Sequence, residues 1–418
     1  MKTIFIIIFL LLRFDESYSQ WIQQQSGTTI TLHDIEFING LTGWASGDGG
    51  LILKTSNGGI NWINQPTEAI GKPLLGIHPV NENIVYATGW YNTILKTTNG
   101  GQNWISIRNG PVGQGRSFFS LFFINEQTGW VNGLSGLEGS MVLKTTDGGE
   151  NWADIFSTGV MRDMFFKDSL NGIGVGEGTF ISRTSNGGIN WLFYTISPPG
   201  NFYRISFIND FTGFVISSNG YDVYKTMNFG ESFDSVGYIP GIQERLYCSE
   251  FINDNIGWTV SNFGEIFKTE NGGSNWKIQK VINSYISSIF ALNDSVAWMC
   301  GAGGKILYTT NGGDTITSIS QISTTIPEDF ELTQNYPNPF NPSTTIEIKI
   351  NETGSYLLEI FDINGKIIQN VLSSTFNPGT YRYVFYANGL STGIYFYRLT
   401  NTDKIINNST TKSMILLK

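Results

Sequence analysis

The sequence predicts an all-β protein, a seven-bladed β-propeller followed by a small β-sandwich. Three observations predict it: a nine-residue motif returns seven times, the stretches between copies read as short strands, and glycine is abundant where charge is scarce. KTSNGGINW at Lys54 recurs as KTTNGGQNW at Lys96, KTTDGGENW at Lys144, RTSNGGINW at Arg183, KTMNFGESF at Lys225, KTENGGSNW at Lys268 and YTTNGGDTI at Tyr308. The intervals are 42, 48, 39, 42, 43 and 40 residues. A period of about 40–45 residues filled with strands is one four-stranded blade, so seven copies give seven blades. Glycine supplies 49 of 418 residues and aromatics 14%, the balance that tight turns between strands require. Charged residues make up only 14%, against roughly a quarter in an ordinary globular chain.

The elements follow in order. Residues 1–19 read as a secretory signal, with Lys2, an apolar run from Ile4 to Leu12, and the small residues Ser17 and Ser19 before a cut at Gln20. That run is too short to cross a bilayer, so no transmembrane segment is expected once the signal is removed. The propeller is placed at 20–317. Each period opens with an apolar strand, as in Ile35-Glu36-Phe37-Ile38, and turns at Asn39, Asn81, Asn125, Asp168, Asn209, Asn253 or Asn293. A second strand carries Gly-Trp or a relative (Gly43-Trp44, Gly129-Trp130, Gly213-Phe214, Gly257-Trp258, Ala297-Trp298), and a third leads into the motif. In the motif's T-x-[N/D]-x-G core, Asn57, Asn99, Asp147, Asn186, Asn228, Asn271 and Asn311 can accept backbone N–H bonds within the turn. Glycine supplies the positive φ, and the threonine hydroxyl ties down the other end. The seventh copy lacks the motif's tryptophan, whereas the chain after the signal starts Gln20-Trp21-Ile22-Gln23. Trp21 is therefore expected to begin the missing outer strand of blade seven and close the ring. Cys248 and Cys300 each fall in a strand and read as small buried apolar residues.

The repeated motif resembles the Asp-box, or bacterial neuraminidase repeat, of sialidases, xyloglucanases, sortilin-type receptors and propellers of the photosystem II assembly-factor type. The resemblance implies a structural hairpin away from the ligand face. Beyond a linker at 318–332, Asn335-Tyr336-Pro337-Asn338-Pro339-Phe340-Asn341-Pro342, the turn Asp362-Ile363-Asn364-Gly365-Lys366 and the terminal Lys412-Ser413-Met414-Ile415-Leu416-Leu417-Lys418 resemble a type IX secretion sorting domain, type A. The resemblance places an immunoglobulin-like β-sandwich at 333–418. It implies recognition by the type IX translocon and delivery, via the periplasm, to the outer cell surface or the medium. Alternation puts Ile346, Ile348 and Ile350, then Tyr356, Leu358 and Ile360, then Ile394 and Phe396 on the sandwich's inward faces.

The chemistry is sparse. The two histidines, His33 and His78, leave little for a histidine-rich metal site or a histidine relay. A net charge of −9 disfavours nucleic acid as a partner. No catalytic residue, metal or cofactor is expected. A glycan or protein ligand is expected on the face built from the loops between strands four and one and between strands two and three. The candidate contacts there are Trp90, Tyr91, Arg116, Arg162, Asp163, Tyr203, Arg204, Asp222 and Arg245. The longest interval adds an insert at 134–140 on that face. The alternative is a secreted glycoside hydrolase. The sialidase resemblance implies an arginine triad, which Arg116, Arg162, Arg204 and Arg245 could supply, yet its Arg-Ile-Pro signature is absent, since Ser206 follows Arg204-Ile205. Asp34 and Asp163, nearly opposite across the ring, could act as acid and base only at a separation near ~6.5–9.5 Å. The favoured expectation is a non-enzymatic binding or interaction module.

Overall fold

A computed structural model describes residues 21–417, apart from 114, 137–138, 158, 197–199, 243–244, 314–319, 342, 388–389 and 405–408. The signal at 1–19 therefore lies outside the described residues. The chain divides into two compact units at residues 314/315.

The first unit holds seven antiparallel four-stranded sheets. Six use four consecutive strands. Blade one, for example, is built from Leu32–Phe37, Gly43–Gly47, Ile52–Thr55 and Ile63–Gln65. Blade seven combines Ile286–Ala291, Ala297–Gly301 and Ile306–Thr309 with Ile22–Gln24, which pairs antiparallel to Ile306–Thr309. Trp21 is buried, its indole N–H donates to Gln279 Oε1 at 2.8 Å, and its carbonyl accepts from Lys280 at 2.7 Å. The expected closure is thus the one observed. First strands contact first strands all round the ring, blade seven meeting blade one.

The motif turns share one bonding pattern. In blade one, Thr55 Oγ1 donates to Asn57 Oδ1 at 3.0 Å and accepts the amides of Asn57 and Gly59. Asn57 Oδ1 in turn accepts the Asn61 amide at 3.0 Å. The threonine bonds recur at Thr97, Thr145, Thr184, Thr226, Thr269 and Thr309. Blade five alone puts a non-glycine, Phe229, at the positive-φ position that Gly58 fills in blade one (φ 56 against 70). Its ring is buried 5.4 Å from Phe207, so packing offsets the left-handed strain.

Each Gly-Trp pair has a job between blades. A Cβ at Gly43 would lie 2.4 Å from the Phe37 ring, so only glycine lets the second strand approach there. In three blades the aromatic that follows stacks on the next blade's phenylalanine: Trp130 on Phe166 at 3.6 Å, Phe214 on Phe251 at 4.0 Å, Trp298 on Phe37 at 3.8 Å. Its polar end reaches the next blade's motif turn, as Trp130 Nε1 does to the Gly187 carbonyl at 3.0 Å and Trp298 Nε1 to that of Gly58 at 3.2 Å. Turn, tryptophan and stack thus form one joint between blades three and four and again between blades seven and one. The insert at 134–140 lengthens a hairpin, with Gly129–Ser135 paired to Gly139–Thr145; residues 137 and 138 lie outside the described set. Cys248 and Cys300 are free and buried.

The second unit is a sandwich of two four-stranded sheets. One orders Ser320–Ser323, Gly379–Tyr386, Ser343–Ile350 and Glu331–Leu332; the other Ile367–Phe376, Gly354–Phe361, Gly393–Asn401 and Ser409–Leu416. Two strands thus come from the segment expected as a linker, each covering an edge of the first sheet. Ile346, Ile348, Ile350, Tyr356, Leu358 and Ile360 face the core as expected. Ile394 and Phe396 do not. Ile394 is 48% exposed, and Tyr395, Tyr397 and Leu399 point inward instead. Tyr-Phe-Tyr is apolar on both faces of a strand, so alternation cannot fix its register. The Tyr397 hydroxyl decides it by donating to the Thr333 carbonyl at 2.7 Å and accepting the Asn335 amide at 2.8 Å. The asparagine–proline motif fastens the last strand: Asn338 Oδ1 accepts the Ile415 amide, and Phe340 exchanges backbone bonds with Ile415 and Leu417.

Candidate functional site

Antiparallel pairing puts the starts of the innermost strands and the turns between second and third strands at the same end of every blade, forming one face around the channel mouth. All seven innermost strands break register near this end. Examples are Leu32/Asp34, Phe118/Ser120, Met161/Asp163 and Leu246/Cys248. Such irregularities re-aim side chains, and here the re-aimed residues are His33, Leu75, Phe119, Arg162, Tyr203, Tyr247 and Ser287.

In blades three to six they build a half-buried arc, which Tyr285, just before the innermost strand of blade seven, continues. The Arg162 guanidinium lies 4.2 Å from the Phe119 ring centre and 6.0 Å from that of Tyr203. Tyr203 follows with Tyr247 at 5.0 Å, and Tyr247 with Tyr285 at 5.6 Å. Exposed Arg245 stands beside them, its guanidinium held above its usual pKa by the Tyr247 and Tyr203 side chains. Glu177 anchors Arg162 through Nε at 3.0 Å. Beneath, a recess of about 10 Å³ opens between blades five and six.

Below the arc the channel is plugged by charge. Arg204 donates from Nη2 to Asp34 Oδ1 at 2.9 Å and to Ser288 Oγ at 3.3 Å. Asp34 also accepts from the Ser288 hydroxyl at 2.6 Å and the Ile77 amide at 3.1 Å. Asp163 accepts from Ser120 at 2.9 Å and the Ile205 amide at 3.1 Å. Burial pushes the Asp163 carboxyl up against the pull of Arg204. Burial alone would lower the Arg204 pKa, but Asp34 and Asp163 outweigh it and raise it. Deeper still lie Glu36 and His78, paired at 3.1 Å. Burial would lower the histidine's pKa, and the Glu36 carboxylate reverses that. Burial likewise lifts Glu36, and lifts Glu250 to about 8.

Arg162, Tyr203, Arg204 and Arg245 therefore come together, with Asp163 in the plug. Trp90, Tyr91 and Arg116 group separately. Asn92 N–H donates to the Arg116 carbonyl at 2.6 Å, Trp90 is 42% exposed beside Tyr91, and Arg116 salt-bridges Asp154. Asp222 joins neither group and pairs in register with Tyr238, its carboxyl raised by burial. Glu36, His78, Phe119, Tyr247, Tyr285 and Glu250 were missed as site residues. Comparing all seven innermost strands position by position, aligned on their last residues, would have exposed most of them.

These features define a seven-bladed propeller carrying a separate C-terminal sandwich. Residues 334–416 match the secretion system C-terminal sorting domain, and residues 14–111 match the photosynthesis system II assembly factor YCF48 family. The sandwich is a type IX sorting domain, which directs the chain to the cell surface or the extracellular space. No helix among the described residues is long and apolar enough to cross a membrane. The fold is similar to a solved structure described as YCF48 bound to D1 peptide, at 22% identity and TM-score 0.57, covering 70% of this chain and 98% of that one. YCF48 from Cyanidioschyzon merolae matches at 19% identity and TM-score 0.56, covering 70% and 98%. The WD40 propeller domain of Doa1 matches at 10% identity and TM-score 0.56, covering 70% and 96%. At these identities the likeness shows the fold alone. No curated protein matches the sequence.

Proposed function

We propose that the exported propeller is a non-enzymatic binding module that engages an extended polypeptide segment across the channel mouth. The observation that carries this reading is the arc from Phe119 through Arg162, Tyr203 and Tyr247 to Tyr285. Half-buried aromatics bring large contact area with little rotamer entropy to lose. The guanidinium and hydroxyl groups beside them are donors suited to main-chain carbonyls. The similar propeller described with a D1 peptide makes a peptide the ligand class to test first.

The carboxylates favour binding over glycan hydrolysis. Asp34 and Asp163 are buried, each accepts several hydrogen bonds from its neighbours, and both lie beside Arg204, so neither is presented to a sugar at the mouth. The test is to screen the full chain against displayed peptides and a glycan panel, then repeat with Tyr203→Ala and Tyr247→Ala. Each substitution should weaken peptide capture by about tenfold or more. Capture indifferent to both, or turnover of any glycan, would sink the reading.

A further inference from the structure

On the far side of the Arg204 layer the channel opens into a second cavity of about 260 Å³ that the mouth arc does not use. The penultimate residues of the innermost strands line it, joined in blade five by the last, Phe207, and they divide by chemistry around the ring. Blades two to four give an aromatic wall: His78 to Phe122 at 5.7 Å, Phe122 to Phe165 at 5.2 Å, and on to Phe207 of blade five at 4.5 Å. Blades six and one give carboxyls, Glu250 and Glu36, on either side of Phe290 of blade seven.

The titratable groups facing this space are Asp34, Glu36, His78, Asp163, Arg204 and Glu250. Four carboxyls stand against one guanidinium and one imidazole. The guanidinium serves Asp34 and Asp163 in the layer above, and the imidazole serves Glu36. Glu250 is favoured in its charged form by Arg204 and by the Ser206 hydroxyl, against burial and the like charges of Glu36 and Asp163, which together win and raise its carboxyl. The cavity is short of positive charge where carboxyls and ring faces converge. A metal ion is a poor match, because a calcium-like ion asks for six or more oxygens. Among the described residues no group of three or more His, Cys, Asp and Glu side chains is set to hold one.

We propose that this lower cavity binds a small organic cation, an alkylammonium or guanidinium group, held by Glu250 and Glu36 with its apolar part against the Phe122–Phe165 wall. An ammonium over a ring face is attracted by the ring quadrupole, most strongly when desolvated. The cation could be a free amine or a lysine or arginine side chain presented by another chain; the chemistry is shared. Empty, the cavity neutralises Glu250 with a proton, since burial lifts that carboxyl to about 8. Binding therefore releases a proton, and affinity rises as pH climbs toward that value.

The test titrates the full chain by calorimetry and ligand-observed NMR with propylammonium, guanidinium and tetramethylammonium, with a Gly-Lys-Gly peptide as the presented-side-chain arm. Potassium and glucose serve as controls. One saturable organic cation per propeller is expected, with Kd raised at least about tenfold in Glu250→Gln. Phe165→Leu should weaken tetramethylammonium most. Binding by the peptide but not the free amines assigns the presented source; the reverse assigns the free one. Thermal melts check that the variants fold. Independently of any variant, the unaltered protein should bind more weakly at about pH 6 than at about pH 9, with proton release seen in buffers of different ionisation heat. No saturable cation binding, binding unchanged in folded Glu250→Gln, equal competition by potassium or glucose, or affinity flat with pH would each overturn the proposal.

Discussion

The seven motif turns and the seven innermost strands are repeats of one chain, yet they repeat to very different degrees. At the turns, threonine and asparagine or aspartate recur with the same bonds in every blade. At the third position of the innermost strands stand Asp34, Gly76, Ser120, Asp163, Arg204, Cys248 and Ser288. The difference follows from what each side chain meets. A turn residue bonds within its own turn, so one solution serves all blades. An inner residue faces six others across one axis, and seven like charges aimed there would repel in a low dielectric. A polar channel in a repeat protein must therefore break the repeat.

The predictions test that contrast, from the largest effect down. Deleting Trp21 to Gln25 removes the outer strand of blade seven. It should cost more than Trp21→Ala, itself about 3–5 kcal/mol by denaturant titration, because loss of a large buried side chain adds to loss of pairing. An unchanged midpoint would mean that the ring closes without the strand. Arg204→Met leaves Asp34 and Asp163 buried without their cation and should cost about 3 kcal/mol by the same measurement. A neutral result would mean that the plug is not what balances the inner layer. Thr145→Val in a single turn removes the acceptor of the Asp147 and Gly149 amides, and about 1–2 kcal/mol is expected. The same change in another blade should cost the same, whereas inner-strand substitutions should differ from blade to blade.

The smallest effect is one of pH. Asp147 is the one aspartate among the seven motif positions, and bonds from Asn151 and Thr145 hold its carboxyl down at about 2. Its folded-state pKa is depressed. Its stabilisation is therefore present above the ordinary carboxylate pKa of roughly 4 and is lost as pH falls from there toward about 2. Asp147→Asn should flatten the acid limb of stability in that window. A limb that keeps its shape would place the acid sensitivity elsewhere.

What the sequence made legible follows the same divide. Periodicity counted the blades, ordered their strands and put Trp21 at the ring's seam, because those features repeat or are conspicuous where the repeat fails. The sorting domain was legible from its motifs. The Arg204–Asp34 bond joins residues 170 positions apart, and no local pattern announces it. Phe119 and Tyr247 sit in strands whose neighbours are core residues, and only the register breaks turn them to the mouth. The edge strands at Ser320–Ser323 and Glu331–Leu332 were hidden because short polar stretches carry no period of their own.

The seam at blade seven has a mechanical side. The propeller ends where the path to the sorting domain begins, so tension arriving from the C-terminal domain enters the ring at Ile306–Thr309. That strand is hydrogen-bonded on both flanks, to Ala297–Gly301 and to Ile22–Gln24. The pull is shared by two ladders at the point where it enters. A tether at the carboxy end thus loads a strand in the middle of its sheet instead of peeling one from an edge.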